Sequence, residues 1–174
     1  MLRLLLLRHS KAVPFQGSGD HERALTERGR SDAARLGLYI ASERLAPDLA
    51  VHSGARRTKE TLAIVLGKLR PGIKASAEPS LYNAANATFL DVLRHSPDKA
   101  GTLLLVGHNP TMAEMADRLA GTGEKTAMAR MAIKFPTSAL AIVDFDADHW
   151  AAVDEGMGHL VDFATPASLG GRDD

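Results

Sequence analysis

Residues Leu2 to Leu7 form an almost continuous apolar run, broken only by Arg3, that stops abruptly at the polar cluster Arg8-His9-Ser10-Lys11. Such a run leaves no face for water, so it is expected as a strand buried on both sides. Two further stretches end in the same way: Leu49 to His52 stops at Ser53-Gly54, and Thr102 to Val106 stops at Gly107-His108. Amphipathic helical patterns lie between them. Thr26 is placed to cap a helix from about Glu27 to Leu45, and a second pattern runs from about Arg56 to Leu69 before Pro71-Gly72. Strands alternating with helices imply an α/β fold, a single-domain three-layer sandwich with a mostly parallel central sheet and helices on both faces.

Residues 13 to 20, with Pro14, Gly17 and Gly19, are expected to form a mobile loop. A short strand is expected at 74–77, turns at 79–86, and a helix from Thr88 to His95 that Pro97 ends. Asn109 should cap a helix with Pro110 in its first turn, running to about Ala120. Polar sequence then leads to a strand from about Ser138 to Phe145, with a last strand near Ala151 to Asp154 pairing with it. The domain is expected to span residues 1–165, with 166–174 as a frayed tail.

Composition narrows the function classes. At 174 residues and 45% hydrophobic, the chain suits one domain with one sizeable core. Lys plus Arg (21) equals Asp plus Glu (21), so no uniform field exists to hold a phosphate backbone or an anionic bilayer. Neither nucleic acid nor membrane is an expected partner. Without cysteine there is no disulfide, thiolate metal site or cysteine nucleophile. The opening apolar run is far too short for a spanning helix or a signal peptide, so a cytoplasmic protein is expected.

In an open α/β sheet, ligands bind beyond the carboxyl ends of the strands. The residues there are Arg8-His9, Ser53 to Arg57, and His108-Asn109. Two histidines and several arginines, with no carboxylate triad for a metal, make a phosphoryl group the natural guest, because the planar guanidinium fork matches phosphate oxygens. No metal and no cofactor are expected. The tetrapeptide Leu-Arg-His-Ser recurs at Leu93 to Ser96, but there it closes a helix before a proline and reads as solvated surface.

Taken in order, these segments resemble the histidine phosphatase superfamily, the phosphoglycerate-mutase-like fold. Leu-Leu-Arg-His-Ser is similar to the Arg-His-Gly signature, with Ser10 in place of glycine. Arg23-Ala-Leu-Thr26-Glu-Arg-Gly29 resembles Arg-Pro-Leu-Thr-x-x-Gly, and Ser53-Gly-Ala-Arg-Arg57-Thr-Lys-Glu-Thr61 resembles Ser-Pro-x-x-Arg-Ala-x-Gln-Thr. Val106 to Pro110 resembles the second-histidine segment, and Pro136-Thr-Ser138-Ala resembles a late strand entry near the site. Short length and the Gly-His-Asn-Pro form are similar to the small SixA-like phosphohistidine phosphatase branch.

The resemblance implies a metal-independent phosphatase with a covalent phosphohistidine intermediate. Arg57 rather than Arg56 falls on the phosphate-binding arginine. Like charge from Arg8 and Arg57 should keep His9 neutral and nucleophilic, while Arg8, Arg57 and His108 hold the transferring oxygens. Arg23 is placed at the rim, and Ser10 with Arg23 joins the expected substrate-binding set. Ser138 is a weaker candidate, His52 is equally a packed residue or a supporting one, and His21, His149 and His159 are expected on the surface.

In the resembled superfamily, mutases and many phosphomonoesterases place a Glu or Asp after the third strand to protonate the leaving alkoxide. Pro79-Ser-Leu-Tyr-Asn83 has none. Glu78 is the nearest candidate, followed by Asp91; Tyr82 or a residue of the 13–20 loop is an alternative on closure. A phosphoramidate needs that proton less than an alkoxide does, so the expected substrate is phosphohistidine on a protein. The alternatives are a phosphatase of small phosphorylated metabolites and, from another class, a non-catalytic phosphate-binding or adaptor domain.

Overall fold

The computed structural model describes all 174 residues. Its strands are β1 (Leu2–Arg8), β2 (Leu49–His52), β3 (Lys74–Ala77), β4 (Thr102–Gly107), β5 (Ala120–Gly123), β6 (Leu140–Phe145) and β7 (Gly158–Ala164). Its helices are α1 (Glu27–Ser42), α2 (Arg56–Leu66), α3 (Asn86–Arg94), α4 (Thr111–Leu119) and α5 (Lys125–Ile133). All seven strands join one sheet in the order β3-β2-β4-β1-β6-β7-β5. Pairings are parallel except β1 with β6 and β6 with β7.

The apolar run of β1 is buried on both faces, as its lack of alternation requires. Leu2, Leu4 and Leu6 enter a core of 25 buried residues that includes Phe89 of α3, Met112 and Met115 of α4, Met131 of α5 and Trp150. Leu5 and Leu7 enter an opposite core of 14 residues, with Ala33, Leu36 and Ile40 of α1 and Leu62 and Val65 of α2. Strand β4 divides likewise, Leu103 and Leu105 to one side and Leu104 and Val106 to the other. Helices therefore cover both faces and make three layers. No helix is long and apolar enough to cross a membrane.

Several expectations needed tertiary context to correct them. Helix α1 stops at Ser42, not Leu45, because Arg44 takes a left-handed conformation and Leu45 N–H closes back on Ile40 O at 2.9 Å. The polar stretch after α4 holds β5 and α5. Strand β5 is built from small residues because a side chain at Gly121 would meet the Gly156 carbonyl, and Glu124 caps α5 by accepting from Thr126 and Ala127 N–H. The strand expected at 151–154 is instead a 3₁₀ turn carrying the buried Trp150, whose indole N–H donates to Ala100 O at 2.8 Å. The final strand lies later, in β7. Residues 166–174 fold back: Asp174 accepts from Thr137 N–H and hydroxyl and pairs with Lys11, and Arg28 donates to Arg172 O.

The Thr26-to-Gly29 segment ties α1 to the chain just past β1. Thr26 Oγ1 accepts from Gly29 N–H at 3.0 Å and donates to Lys11 O at 3.2 Å. A Cβ at Gly29 would lie 2.1 Å from Lys11 O, so the helix start can rest on that backbone only without a side chain. Gly29→Ala should therefore lower stability by about 2 kcal/mol or more, seen as a melting temperature several degrees lower. Gly101→Ala, whose Cβ would meet nothing nearer than Asp48 Oδ2 at 3.7 Å, should cost little by the same thermal unfolding measurement.

Candidate active site

Strand register assembles the site. Arg8 of β1 pairs with Gly107 of β4, so His9 and His108, the next residues of each strand, are neighbours with ring centroids 5.2 Å apart. His52 of β2 pairs with Val106, which sets Ser53 level with Gly107, one residue before His108, and Ser53 Oγ reaches His108 Nε2 at 2.6 Å. Arg57, in the first turn of α2, points back toward the same sheet edge. Only 4% exposed, it donates from Nε to His9 Nε2 (3.3 Å) and from Nη2 to His108 Nδ1 (3.1 Å).

Donor and acceptor roles settle the tautomers. His9 Nδ1 faces Ser10 O at 2.8 Å, and a carbonyl only accepts, so Nδ1 carries the hydrogen and Nε2 keeps its lone pair toward Arg57. For His108 the guanidinium donates to Nδ1, so the hydrogen is on Nε2 and goes to Ser53 Oγ. Ser53 passes its own hydrogen to Thr58 Oγ1 (3.0 Å), and Thr58 donates to Ala55 O (2.8 Å). Burial, with like charge from the neighbouring arginines, disfavours the imidazolium of each: His9 is pushed down to about 3 and His108 to about 4. Both are neutral at pH 7.

Arg8 is half-buried and donates to Phe135 O at 3.0 Å; burial lowers its pKa, its Nε has no partner, and it forms no ion pair. Its charge reaches both histidines. Arg23 stands at the rim, donating to Asp20 Oδ1 (2.9 Å) and Val13 O (2.8 Å).

Ser10 is not brought to the site. It is fully buried, with its N–H donated to Thr61 Oγ1 (2.9 Å) and its hydroxyl paired with Ser138 Oγ (2.6 Å), so it joins β1 to the entry of β6 and offers nothing to a ligand. Asn109 does not cap α4. Its amide donates instead to Phe135 O at 2.9 Å, and Pro110 occupies the cap position. His52 is a packed turn residue whose Nδ1 accepts from Gly54 N–H at 3.1 Å. Arg56 pairs with Glu60 on the surface. Arg94 and His95 of the second Leu-Arg-His-Ser bond to Val153 O and Asp91 O, at the end of α3. Glu78 accepts from Ser80 and lines a groove with Asp91 and His95 beside β3 and α3, without touching either histidine.

The structure adds residues that the strand-end reading omitted. Asp20, at the end of the expected mobile loop, opens a short 3₁₀ turn, and its carboxylate pairs with Arg57 Nη2 at 3.2 Å and accepts from the Tyr82 hydroxyl. Tyr82 stands edge-on to His108 (5.4 Å), and His21 edge-on to Tyr82 (5.0 Å), so His21 is exposed yet part of the mouth. The sequence offers Tyr82 and the 13–20 loop only as alternatives for the missing acid, and Asp20 with Arg23 as a local ion pair; no signal in it joins Asp20 to Arg57.

Residues 4–86 match the profile of the histidine phosphatase superfamily, branch 1. An uncharacterized Mycobacterium tuberculosis protein is 37% identical over 164 residues, covering 92% of this chain and 99% of its own. A solved Agrobacterium tumefaciens structure, provisionally named as the phosphohistidine phosphatase SixA, is 31% identical at a TM-score of 0.80 and covers 95% of this chain and 98% of its own. Another provisionally so named, from Nakamurella multipartitia, is 25% identical at 0.82, covering 94% and 95%.

The neutral histidines carry a stability signature. Their native pKa values lie below the usual 6.5, so the unfolded chain binds more protons between about pH 6.5 and 4. Stability should fall as pH drops through that window, by about 1.4 kcal/mol per pH unit for each histidine while only the unfolded form is protonated. Denaturant titrations at pH 7, 6, 5 and 4 check this: His9→Gln and His108→Gln should each flatten the slope, and a slope unchanged in both variants would contradict it.

Proposed function

The chain belongs to the histidine phosphatase superfamily, in its small SixA-like branch, and from that premise we propose that it removes phosphoryl groups through a covalent phosphohistidine on His9, with phosphohistidine on a protein as preferred substrate. The observation that carries the substrate preference is the state of the carboxylates. Asp20 is the one carboxylate bonded into the histidine and arginine cluster, and the Tyr82 hydrogen bond with the charges of Arg57 and Arg23 holds it at about 2. It has no proton to give at neutral pH. Glu78 is occupied with Ser80 outside the cluster. A site with no protonated carboxyl suits a leaving group that departs without one, as the imidazole of phosphohistidine does far more readily than an alkoxide.

The two displacements use the groups in place. His9 Nε2, its lone pair aimed by the Nδ1–H bond to Ser10 O, attacks phosphorus; the bond to the leaving group breaks and that group departs with the electron pair. Water then attacks the phosphohistidine, the N–P electron pair returns to Nε2, and orthophosphate leaves. Arg57 and Arg8 hold the equatorial oxygens with charge already in place and desolvated. His108 joins them once Arg57 Nη2 turns from Nδ1 to a phosphoryl oxygen: Nδ1 then takes a proton from solvent and donates it to the dianion, while Nε2–H stays with Ser53. Exposed Val13 and Phe15, on the loop ending at Asp20, offer apolar surface suited to a protein substrate.

Labelled substrate should leave an acid-labile, base-stable phosphate on the wild-type protein and none on His9→Ala. Activity should persist in EDTA, and rates should depend steeply on leaving-group pKa, with phosphoramidates and aryl phosphates far ahead of alkyl phosphates. Glu78→Gln should cost less than the roughly 10²-fold typical of a positioned acid. Acid-stable label, strong metal dependence, or a larger Glu78→Gln loss confined to alkyl phosphates would each overturn part of this reading, the last in favour of small phosphoesters. Failure of every phosphoryl substrate to label the protein would favour a phosphate-binding domain.

A further inference from the structure

Arg57 has five N–H donors, and they divide between two edges of its guanidinium. The inner edge faces the histidines: Nε lies 3.3 Å from His9 Nε2, and Nη2 lies 3.1 Å from His108 Nδ1. The outer edge is held by one residue. Nη1 donates to the backbone carbonyl of Asp20 at 2.8 Å, and Nη2 donates to its carboxylate Oδ2 at 3.2 Å. No other group accepts from Arg57. Apart from the two histidines, which a phosphoryl group would displace from the inner edge, Asp20 alone accepts hydrogen bonds from the guanidinium, so it sets the direction of that edge.

Asp20 is fixed in turn from two further segments. Arg23 Nε donates to Oδ1 at 2.9 Å, and the Tyr82 hydroxyl, from the turn after β3, donates to Oδ2. The Tyr82 ring also lies under the Arg57 guanidinium, 5.9 Å from its carbon to the ring centre. Three contacts from three parts of the chain converge on one partly exposed carboxylate, while its backbone carbonyl accepts from Arg57 Nη1 and from the Arg23 N–H. That arrangement exceeds what a surface ion pair needs, and its one inward consequence is the aim of Arg57.

We propose that Asp20 is the positioning residue of the phosphoryl seat: it grips the outer edge of Arg57 so that the Nε and Nη2 edge is presented, bidentate, to the phosphoryl oxygens held between His9 and His108. This rests on the phosphatase reading above in one respect, that the phosphoryl group sits at that inner edge. Asp20 acts through Arg57 and gives no proton to the leaving group. Arg23 and Tyr82 serve the same end at one remove, by holding the carboxylate.

The test is a double-mutant cycle between Asp20 and Arg57, read on an aryl phosphate and on a phosphoramidate. Asp20→Ala should lower kcat about 10²-fold on both substrates alike, as expected for a misaligned catalytic group. KM should change no more than about threefold, and Asp20→Asn, which keeps an acceptor oxygen, should retain part of the lost rate. Introduced into Arg57→Ala, the same Asp20→Ala change should cost little further. A loss that persists undiminished without Arg57, a loss restricted to poor leaving groups, or no loss at all would overturn the proposal.

A second readout is independent of turnover. The Arg57 Nε–H resonance, assigned by its disappearance in Arg57→Lys, should be ordered in the wild type and motionally averaged in Asp20→Ala, with backbone resonances of β1, β4 and α2 unchanged. Vanadate affinity by calorimetry should weaken in parallel. An Nε–H that stays ordered without the Asp20 carboxylate would sink the positioning role even if the protein proves to be an active phosphatase. Conversely, a wild type that binds vanadate but turns over nothing would remove the functional reading and leave the Arg57 geometry to be judged by the resonance alone.

Discussion

The parallel ladder between β1 and β4 is the constraint on which the remainder of the structure depends. Both strands are buried on both faces, so neither can slip by one residue without turning leucines from one core to the other. With the register locked from Arg3 against Thr102 to Arg8 against Gly107, the residues after the strand ends have no choice of neighbour. His9 meets His108, and β2 against β4 brings Ser53, level with Gly107, within reach of His108. The cores thus do more than stabilise; they set the distance between two imidazoles.

Placing cationic and titratable groups at such an edge has a cost, and the site manages it by keeping most of its charge elsewhere. Both histidines are neutral because burial and the neighbouring arginines make the imidazolium unfavourable. Arg57, almost wholly buried, is offset by Asp20 on its outer side, whereas Arg8 has only a carbonyl and an unpartnered Nε. The net positive field of Arg8 and the inner N–H edge of Arg57 are what a phosphoryl dianion would meet. Stability and anion affinity are therefore in tension at this edge.

The motif positions differ in what they do. Gly29 is required by a close backbone approach, since the helix start of α1 rests against Lys11, next but one to the nucleophile candidate. Ser10, which stands where the resembled signature has glycine, was expected near the ligand, yet its hydroxyl is spent on Ser138 at the entry to β6. A serine there exchanges backbone freedom for a buried hydrogen bond that ties the first strand to its antiparallel neighbour.

What the sequence determined alone is whatever leaves a periodic or local trace. Unbroken apolar runs specified β1, β2 and β4, Thr26 specified the start of α1, and the residues just beyond each run specified Arg8, His9, Arg57 and His108. Elements with weak local signals were lost: β5, made of Ala-Gly-Thr-Gly, is a strand only because Gly121 admits the Gly156 backbone and Gly123 the Leu160 and Met128 side chains, and the Trp150 segment prefers a buried turn to a strand. Tertiary structure alone decided the outer half of the site. Asp20 meets Arg57 across 37 residues and Tyr82 across 62, through side chains on irregular segments whose contacts follow no period. Hydrogen bonds of that kind are set by where the fold brings the ends of loops, and that is fixed only once both cores have closed.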